Sequence, residues 1–373
     1  MIRVALLLAC LLGPVAAQAA EPVRIGITTI LSGPIADRGQ SEQYGAQLAL
    51  NEINQTGGML GRPIEAFYAD NACKPEVGVP ATRRLSEQEH VPVLIGALCT
   101  PVTHAIMPVF AAARVPLVIA TSAGQDFVDA SGVGCNDYLF KTIPSDLDIA
   151  QGLIAYLGKR GVKSVAVVAD AGGFPRPTAV AFARAAEKAG MRVVADETVA
   201  EGATDLAPLM DKLRASAPDA VLTALFGSTA PFFRAYEASG WRAPVSGRVD
   251  FNAASATVSP KFRDAGGLAD VTEIAVFSAA SAGVQEFVAS YRAHYGLTPT
   301  QRSFFVYEAV YLVTDAIRRA GVDEPAAIKT ALKTTTMASR LGGTYAPDDH
   351  NHAHTPLLIL ALKDGKPDVV ATE

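Results

Sequence analysis

The sequence is poor in charge and in cysteine, and it lacks several motifs that would indicate an enzyme or a nucleic-acid-binding protein. Only 18% of its 373 residues are charged, the formal net charge is −5, and its four cysteines form no Cys-x-x-Cys pair. A Gly-x-Gly-x-x-Gly turn and a P-loop are absent, which argues against a dehydrogenase. Lysine and arginine form no cluster of the kind that binds nucleic acid. We therefore expect no cofactor and no nucleic-acid partner.

Long hydrophobic runs are confined to the first 20 residues. Arg3 gives a positive start, Val4–Leu12 is an apolar core, and Ala17-Gln18-Ala19 is a small-x-small cleavage site. This pattern predicts a signal peptide over residues 1–20, cleaved near Ala19. No later segment approaches the ~20 apolar residues that a membrane-spanning helix needs. We expect a soluble protein that is exported to the periplasm.

Half of the residues are hydrophobic, which is enough for two cores in a chain of this length. Predicted strands alternate with predicted helices, and this order is typical of parallel α/β sheets. The strands of the first half are Arg24–Thr29, Ile64–Asp70, Val91–Gly96 and Val115–Thr121, with helices over Gln40–Gln55, Pro75–Glu89 and Val102–Ala113. The second half repeats the plan with strands over Ser164–Ala169, Arg192–Thr198, Ala220–Phe226 and Pro244–Val249.

The last hundred residues do not form a domain alone. A predicted strand at Glu273–Ser278 precedes the helices Val284–Tyr295, Ser303–Ala320 and Ala326–Leu332, and a last strand spans Pro356–Lys363. We expect the helices to pack on the first lobe and the last strand on the second. Lobe I then comprises residues 21–141 and 279–345, and lobe II comprises residues 142–278 and 346–373. The predicted fold is α/β: two Rossmann-like lobes with parallel sheets, joined by a multi-strand hinge that lets them close on a ligand.

The junction after strand Val91–Gly96 is the most informative local pattern. Thr100 occupies the position of a helix N-cap, and Pro101 fits the first helical position. A helix that starts at the carboxyl end of a buried strand directs free N–H groups into a cleft, where they bind an anion such as a carboxylate. The alternative is that Thr100 only caps its helix.

Two other patterns suggest different chemistry but lack support. Ala120–Gly124 resembles a nucleophile elbow around Ser122, but its first glycine is missing and no histidine has a triad context. Alternate positions near the C-terminus carry histidine: His350, His352 and His354. On a strand they would share one face and could bind a metal, but Asp348–Asn351 favours a turn. We therefore expect neither a hydrolase nor a metal site.

Three cysteines remain after residue 20: Cys73, Cys99 and Cys135. An oxidising compartment permits a disulfide, and an odd count leaves one thiol over. Cys73 and Cys99 both follow predicted strand ends, so they can be neighbours, whereas Cys135 lies in the loop that follows residues 131–134. The spacing alone leaves the pairing open.

Four segments together carry a family resemblance. They are Thr29–Ala36, Asn51–Ile64, Ala69–Cys73 and Ile95–Cys99. In combination they resemble the periplasmic branched-chain amino-acid-binding proteins of ABC importers, the Leu/Ile/Val-binding family, and the resemblance covers nearly all of residues 22–365. It implies the type I periplasmic-binding-protein fold, a Cys73–Cys99 disulfide and a small carboxylate-bearing ligand. It also implies a monomer whose partners are permease subunits in the inner membrane.

The resemblance also implies a ligand wall on the first lobe. In the family, a serine or threonine at the position of Thr100 and backbone groups near Ser122 and Ala123 hold the ligand's α-carboxylate. Two nearby positions depart from the family pattern. Gly124 stands where a threonine often helps to bind the α-ammonium group, and Arg38 stands at an aromatic position. Arg38 is either a ligand contact or a solvated side chain.

The second lobe departs further from the family pattern. Phe174 aligns with a tyrosine and Phe226 lies near another, and each is either a ligand contact or a packing residue. The acidic partner of the ammonium group falls near Arg248 and Asp250. If Asp250 faces the cleft, an amine can bind; if Arg248 does, a second carboxylate or an amine-free acid is favoured.

Gly124 and Arg248 together favour an aromatic or aliphatic acid without an amine, although hydrophobic amino acids stay open. Import and ligand sensing also stay open, because a sensor that passes its signal to a receptor uses the same two-lobed fold. No step of either function requires chemistry on the ligand.

Overall fold

A computed structural model describes residues 21–200, 202–363 and 366–373. The predicted signal peptide lies outside the described residues. In the part of the chain that is described, no helix combines the length and the apolarity needed to cross a membrane.

The first sheet is parallel and has the strand order β2-β1-β3-β4-β5. Its strands are β1 (Val23–Thr29), β2 (Ile64–Asp70), β3 (Leu94–Ile95), β4 (Leu117–Ile119) and β5 (Leu139–Lys141). The helices between them are α1 (Ala36–Gln55), α2 (Pro75–Glu87), α3 (Thr100–Ala113) and α4 (Gln125–Asp129). Because β1 pairs with both β2 and β3, the strand order reverses there, and ligands bind beyond the carboxyl ends of strands at such a point.

The second sheet repeats this arrangement with the order β7-β6-β8-β9. Its strands are β6 (Ser164–Asp170), β7 (Arg192–Val199), β8 (Ala220–Ala224) and β9 (Val245–Arg248). The accompanying helices are α5 (Asp146–Lys159), α6 (Pro175–Lys188), α7 (Ala207–Ser216) and α8 (Thr229–Ser239). Every residue of β6 is buried, as expected for a central parallel strand with helices on both faces.

The remaining elements complete both lobes. They are α9 (Phe251–Thr257), α10 (Pro260–Asp264), β10 (Thr272–Ala275), a 3₁₀ turn (Ala282–Val284), α11 (Gln285–Tyr295), α12 (Gln301–Ala320), α13 (Pro325–Lys333), β11 (Met337–Ala338), β12 (Thr344–Tyr345), β13 (Leu358–Lys363) and β14 (Lys366–Thr372). The strands β10, β13 and β14 form an antiparallel sheet, so the predicted last strand is not the last. Strand β14 has no buried position, which explains why no hydrophobic alternation marked it.

The late helices pack on the first lobe, as their lack of an independent core predicts. Helix α12 lies so close to α1 that a Cβ added at Gly45 would stand 1.9 Å from the carbonyl oxygen of Ser303. The ring of Tyr44 stacks on Tyr295 of α11 with 4.3 Å between centroids. Strand β13 pairs with β10 beside the second sheet. The division at residues 141, 278 and 345 stays a prediction.

Two of the segments through which the chain passes from one lobe to the other are hydrogen-bonded to each other. The N–H of Lys141 donates to the carbonyl of Asn351 at 3.0 Å, and the N–H of Ala353 donates to the carbonyl of Lys141 at 3.0 Å. The side chain of Lys141 is fully buried and donates to the carbonyls of Ile143 and Pro144. Burial lowers the pKa of Lys141 to about 7. The paired segments form part of the expected multi-strand hinge.

Candidate ligand-binding site

A cavity of about 410 Å³ is lined by residues from both lobes, and this volume suits a small molecule. The sequence-predicted site residues on its walls are Arg38, Thr100, Ser122, Ala123, Phe174, Phe226 and Arg248. The cavity therefore brings together segments that lie more than 200 residues apart in the chain, from Arg38 to Arg248. Their roles in binding stay a prediction.

The first wall is built around the start of α3. The expectation that Thr100 caps this helix is wrong: Thr100 is its first residue, Cys99 is the N-cap residue, and no side chain caps the amide groups. The Thr100 hydroxyl instead lies 3.3 Å from that of Ser122. In the described chain the N-cap residue makes no side-chain hydrogen bond to the first N–H groups of α3, and these groups lie next to the two hydroxyls.

The predicted disulfide between Cys73 and Cys99 is present, with 5.5 Å between the Cα atoms. Both cysteines line the cavity, so the bond ties the N-cap of α3 to the loop after β2. Cys135 is a free, exposed thiol. The disulfide fixes the first wall covalently.

The second wall is aromatic. Phe174 precedes α6, Phe226 follows β8, and their rings meet edge to face with centroids 6.3 Å apart. The Arg38 guanidinium lies 4.0 Å from the centroid of the Phe226 ring, so a cation–π contact spans the cleft between the lobes. The pair of rings offers a surface on which a flat or aliphatic ligand can pack.

Asp170 holds the Phe226 loop, and sequence reasoning missed it. The backbone N–H groups of residues 226–228 donate to its Oδ2 at 2.7, 2.8 and 3.2 Å. Asp170 is the last residue of β6, and it lines the cavity. A carboxylate at the carboxyl end of a buried strand was the available signal, because such a residue meets the loop of the neighbouring parallel strand.

Of the two candidates at the end of β9, Arg248 is on the cavity wall. Its Nη1 donates to the carbonyl of Ile274 at 3.2 Å. Asp250 is absent from the described lining residues, and its carboxylate accepts the N–H of Ala253 at 3.0 Å as the N-cap of α9. Of the two residues, Arg248 and not Asp250 therefore contributes to the described cavity wall.

Gly124 also stands off the described cavity wall. A Cβ added there would lie 2.5 Å from Asp126 Oδ1 and 3.0 Å from the Phe127 ring. A threonine at this position therefore requires its neighbours to move. The atoms that would have to move belong to side chains, and the backbone at Gly124, with φ of −43°, is open to other residues.

Arg302, the second residue of α12, is a cavity residue that no sequence pattern marked. Burial and the neighbouring guanidinium groups of Arg38 and Arg248 lower its pKa, while the carboxyl of Glu42 opposes the shift. Glu42 is itself buried behind the first wall and accepts a hydrogen bond from the Thr29 hydroxyl. Burial raises the pKa of Glu42 to about 7.

The histidines of the C-terminal segment lie at the hinge. Ligand atoms of Asp148, His352 and His354 lie within 4.8 Å of one another and could hold a metal ion. The same Asp148 oxygen that lies 2.8 Å from His352 Nε2 also accepts the N–H and hydroxyl of Ser145 at the start of α5. In the described chain no histidine lines the cavity, and Ser122 faces a hydroxyl and not an imidazole.

Comparison with known proteins assigns the family. The family model described as "Periplasmic binding protein" matches residues 22–367. The chain belongs to this family. Leu/Ile/Val-binding protein homolog 7 from Brucella suis is 24% identical over 370 residues, which span 94% of this chain and 92% of that protein. Members of the family are substrate-binding proteins, and their location is the periplasm.

Solved structures confirm the fold. A branched-chain amino acid transporter substrate-binding protein from Streptococcus pneumoniae, in complex with isoleucine, has a TM-score of 0.77 and 24% identity and covers 95% of this chain and 99% of its own. A solute-binding protein from R. palustris, in complex with benzoate, has a TM-score of 0.75 and 19% identity, with 94% and 96% covered. The two Rossmann-like lobes are thus those of a type I periplasmic binding protein.

Proposed function

We propose that this chain is the solute-binding protein of an ABC importer and captures a small carboxylate between its lobes without changing it chemically. The observation that carries the proposal is the uncapped start of α3, where the hydroxyls of Thr100 and Ser122 meet on the cavity wall. Hydroxyl and amide donors around a helix N-terminus are suited to one carboxylate group.

Capture proceeds in two steps. The first lobe (residues 21–141 and 279–345) binds the carboxylate through Thr100, Ser122 and the backbone near Ala123. The second lobe then closes and places Phe174 and Phe226 over the body of the ligand. Closure removes water, and the lower dielectric strengthens the polar contacts. The closed protein, a monomer, is the form that the permease in the inner membrane recognises.

The ligand that we propose is an acid without an amino group. Arg248 lines the cavity, whereas Asp250 is engaged at the N-terminus of α9. The residue at the end of β9 therefore offers the ligand a cation, which repels an ammonium group and attracts an anion. The aromatic wall favours an aromatic or branched aliphatic body.

A thermal-shift screen tests this function on the mature protein after unfolding and refolding to remove any carried ligand. Each pair of ligands differs only in the amine: leucine with 4-methylpentanoate, and phenylalanine with 3-phenylpropanoate, with benzoate added. A ligand at 100 times its dissociation constant adds about 2.7 kcal/mol to the unfolding free energy. We expect the acids to stabilise and the amino acids not to.

Stabilisation by the amino acids alone would contradict the amine-free ligand but leave solute binding intact. Stabilisation by none of these compounds, nor by the dicarboxylates tested below, would contradict carboxylate capture itself.

A further inference from the structure

Three arginines converge on the one cavity from different parts of the chain. Arg38 comes from α1, Arg248 from the end of β9 and Arg302 from the first turn of α12. Like charges gathered in a partly buried site repel one another, so such an arrangement needs a source of negative charge.

The protein itself supplies little of that charge. Among the described residues, none of the three arginines forms a salt bridge; Arg248 contacts a backbone carbonyl and Arg38 a ring. Elsewhere the same chain pairs its half-buried arginines closely. Arg176 grips both oxygens of Asp196 at 2.5 and 2.6 Å.

Asp37 and Asp250 oppose the burial that lowers the pKa of Arg38, but among the described residues neither forms a salt bridge with it. Other acidic groups near the cluster are buried or hydrogen-bonded. Burial raises the pKa of Glu42 to about 7 and that of Glu273, beside Arg248, to about 8. Burial also raises the pKa of Asp146, whose carboxylate accepts a hydrogen bond from Thr178 at 2.7 Å. One oxygen of the wall residue Asp170 accepts three backbone N–H groups, while its other oxygen has no partner among the described residues, so Asp170 is the one carboxylate that the described wall itself presents.

The first wall already accounts for one carboxylate. Its donors are the hydroxyls of Thr100 and Ser122 and the amide groups of α3, all on the first lobe. By the predicted division, Arg248 belongs to the second lobe and Arg38 and Arg302 to the first, so an anion that they share bridges the two lobes. Guanidinium groups grip a carboxylate through two parallel hydrogen bonds, which hydroxyls and amides do not reproduce.

We propose that Arg248 and Arg302, with Arg38 against Phe226, form a second anionic subsite, and that the ligand is a dicarboxylate with an apolar body. This inference rests on the proposed function and narrows it. The first wall holds one carboxylate, the two phenylalanines contact the body, and the arginines hold the other carboxylate.

Calorimetric titration of the refolded mature chain tests the subsite with matched acids. Benzoate is compared with benzene-1,4-dicarboxylate, and hexanoate with hexanedioate. We expect the diacid of at least one pair to bind tenfold or more tightly than its monoacid. The advantage should shrink as salt is added, because screening weakens the second charge interaction.

Three variants assign the effect to the arginines. Arg302→Gln and Arg248→Gln should each weaken diacid binding tenfold or more and change monoacid binding less than threefold. Arg302→Lys keeps the positive charge but loses the two parallel hydrogen bonds of a guanidinium group. Its affinity for the diacid should therefore lie between that of the unmodified protein and that of Arg302→Gln. The matched control is Arg242→Gln, since Arg242 lies over Phe262 and outside the described cavity wall.

Equal affinities for monoacid and diacid in both pairs would overturn the second subsite while leaving carboxylate capture in place. An equal loss of monoacid and diacid binding in the variants would also overturn it, since the arginines would then serve the first carboxylate. If Arg302→Gln does not fold, Arg248→Gln and the salt dependence of the unmodified protein decide the matter.

Discussion

The two walls of the cavity have the same origin in the fold but a different chemistry. Each lies beyond the carboxyl ends of strands in a parallel sheet, where the strand order reverses. The first wall presents the hydroxyls of Thr100 and Ser122 at a helix N-terminus, whereas the second presents Phe174, Phe226 and Arg248. The comparison teaches that the fold places the cavity and that side chains decide what each wall can bind.

The walls also differ in how firmly they are fixed. On the first, a disulfide ends at Cys99, and the Thr103 hydroxyl donates to the carbonyls of Ala97 and Cys99 at 3.0 and 3.1 Å. On the second, Phe226 is 50% exposed and its loop is held through backbone bonds to Asp170. A fixed wall suits the carboxylate that every candidate ligand carries, and an exposed aromatic wall suits the part that varies.

The largest effect is expected behind the first wall, where Glu42→Gln should remove a pH dependence of stability. Burial raises the pKa of Glu42 from 4.5 to about 7, so its contribution is fully present below pH 4.5 and lost as the pH rises through about 7. The shift corresponds to about 3 kcal/mol. The glutamine keeps an oxygen for the Thr29 hydroxyl but does not titrate.

Urea unfolding of both proteins at several pH values between 4.5 and 8.5 measures this effect. Relative to the variant, the free energy of unfolding of the unmodified protein should fall by about 3 kcal/mol over that range. A difference that does not change with pH would show that Glu42 is not the buried titrating group behind this wall.

Thr100→Val should weaken the binding of every carboxylate ligand at the first wall. A hydrogen bond to a charged group contributes about 1.5–3 kcal/mol, so affinity should fall roughly ten- to 150-fold by titration calorimetry. Thr100→Ser is the matched control, because it keeps the hydroxyl beside Ser122. An unchanged affinity in the valine variant would place the anion elsewhere.

The smallest effect should come from the second wall. Phe174→Leu removes the ring that meets Phe226 edge to face. It should weaken the binding of aromatic acids by about 0.5–1.5 kcal/mol more than the binding of aliphatic acids. The ratio of benzoate to hexanoate affinity in the same protein serves as the internal control. If both acids weaken equally, Phe174 contributes general packing and not aromatic recognition.

Much of the fold could be predicted from the sequence because its signals are local. Helix α12 ends at the predicted Ala320 and begins two residues before the predicted Ser303, and β2 matches its prediction over Ile64–Asp70. The short elements were missed because three to seven residues carry too little periodicity, as in β5 and α9. Strand β3 is shorter than the predicted Val91–Gly96. The apolar residues on either side of Leu94 and Ile95 are buried too, and this made the strand look longer in the sequence.

The sequence by itself determined the alternating parallel architecture and the strand-to-helix junction before α3, which we propose binds an anion, because each depends on residues that are close together in the chain. Only the tertiary structure decided that Arg38, Arg248 and Arg302 share one cavity and that Asp250 stays at its own helix. Those contacts join segments from opposite ends of the chain, and one residue of register decides which side chain faces inward. Local patterns carry no information about either.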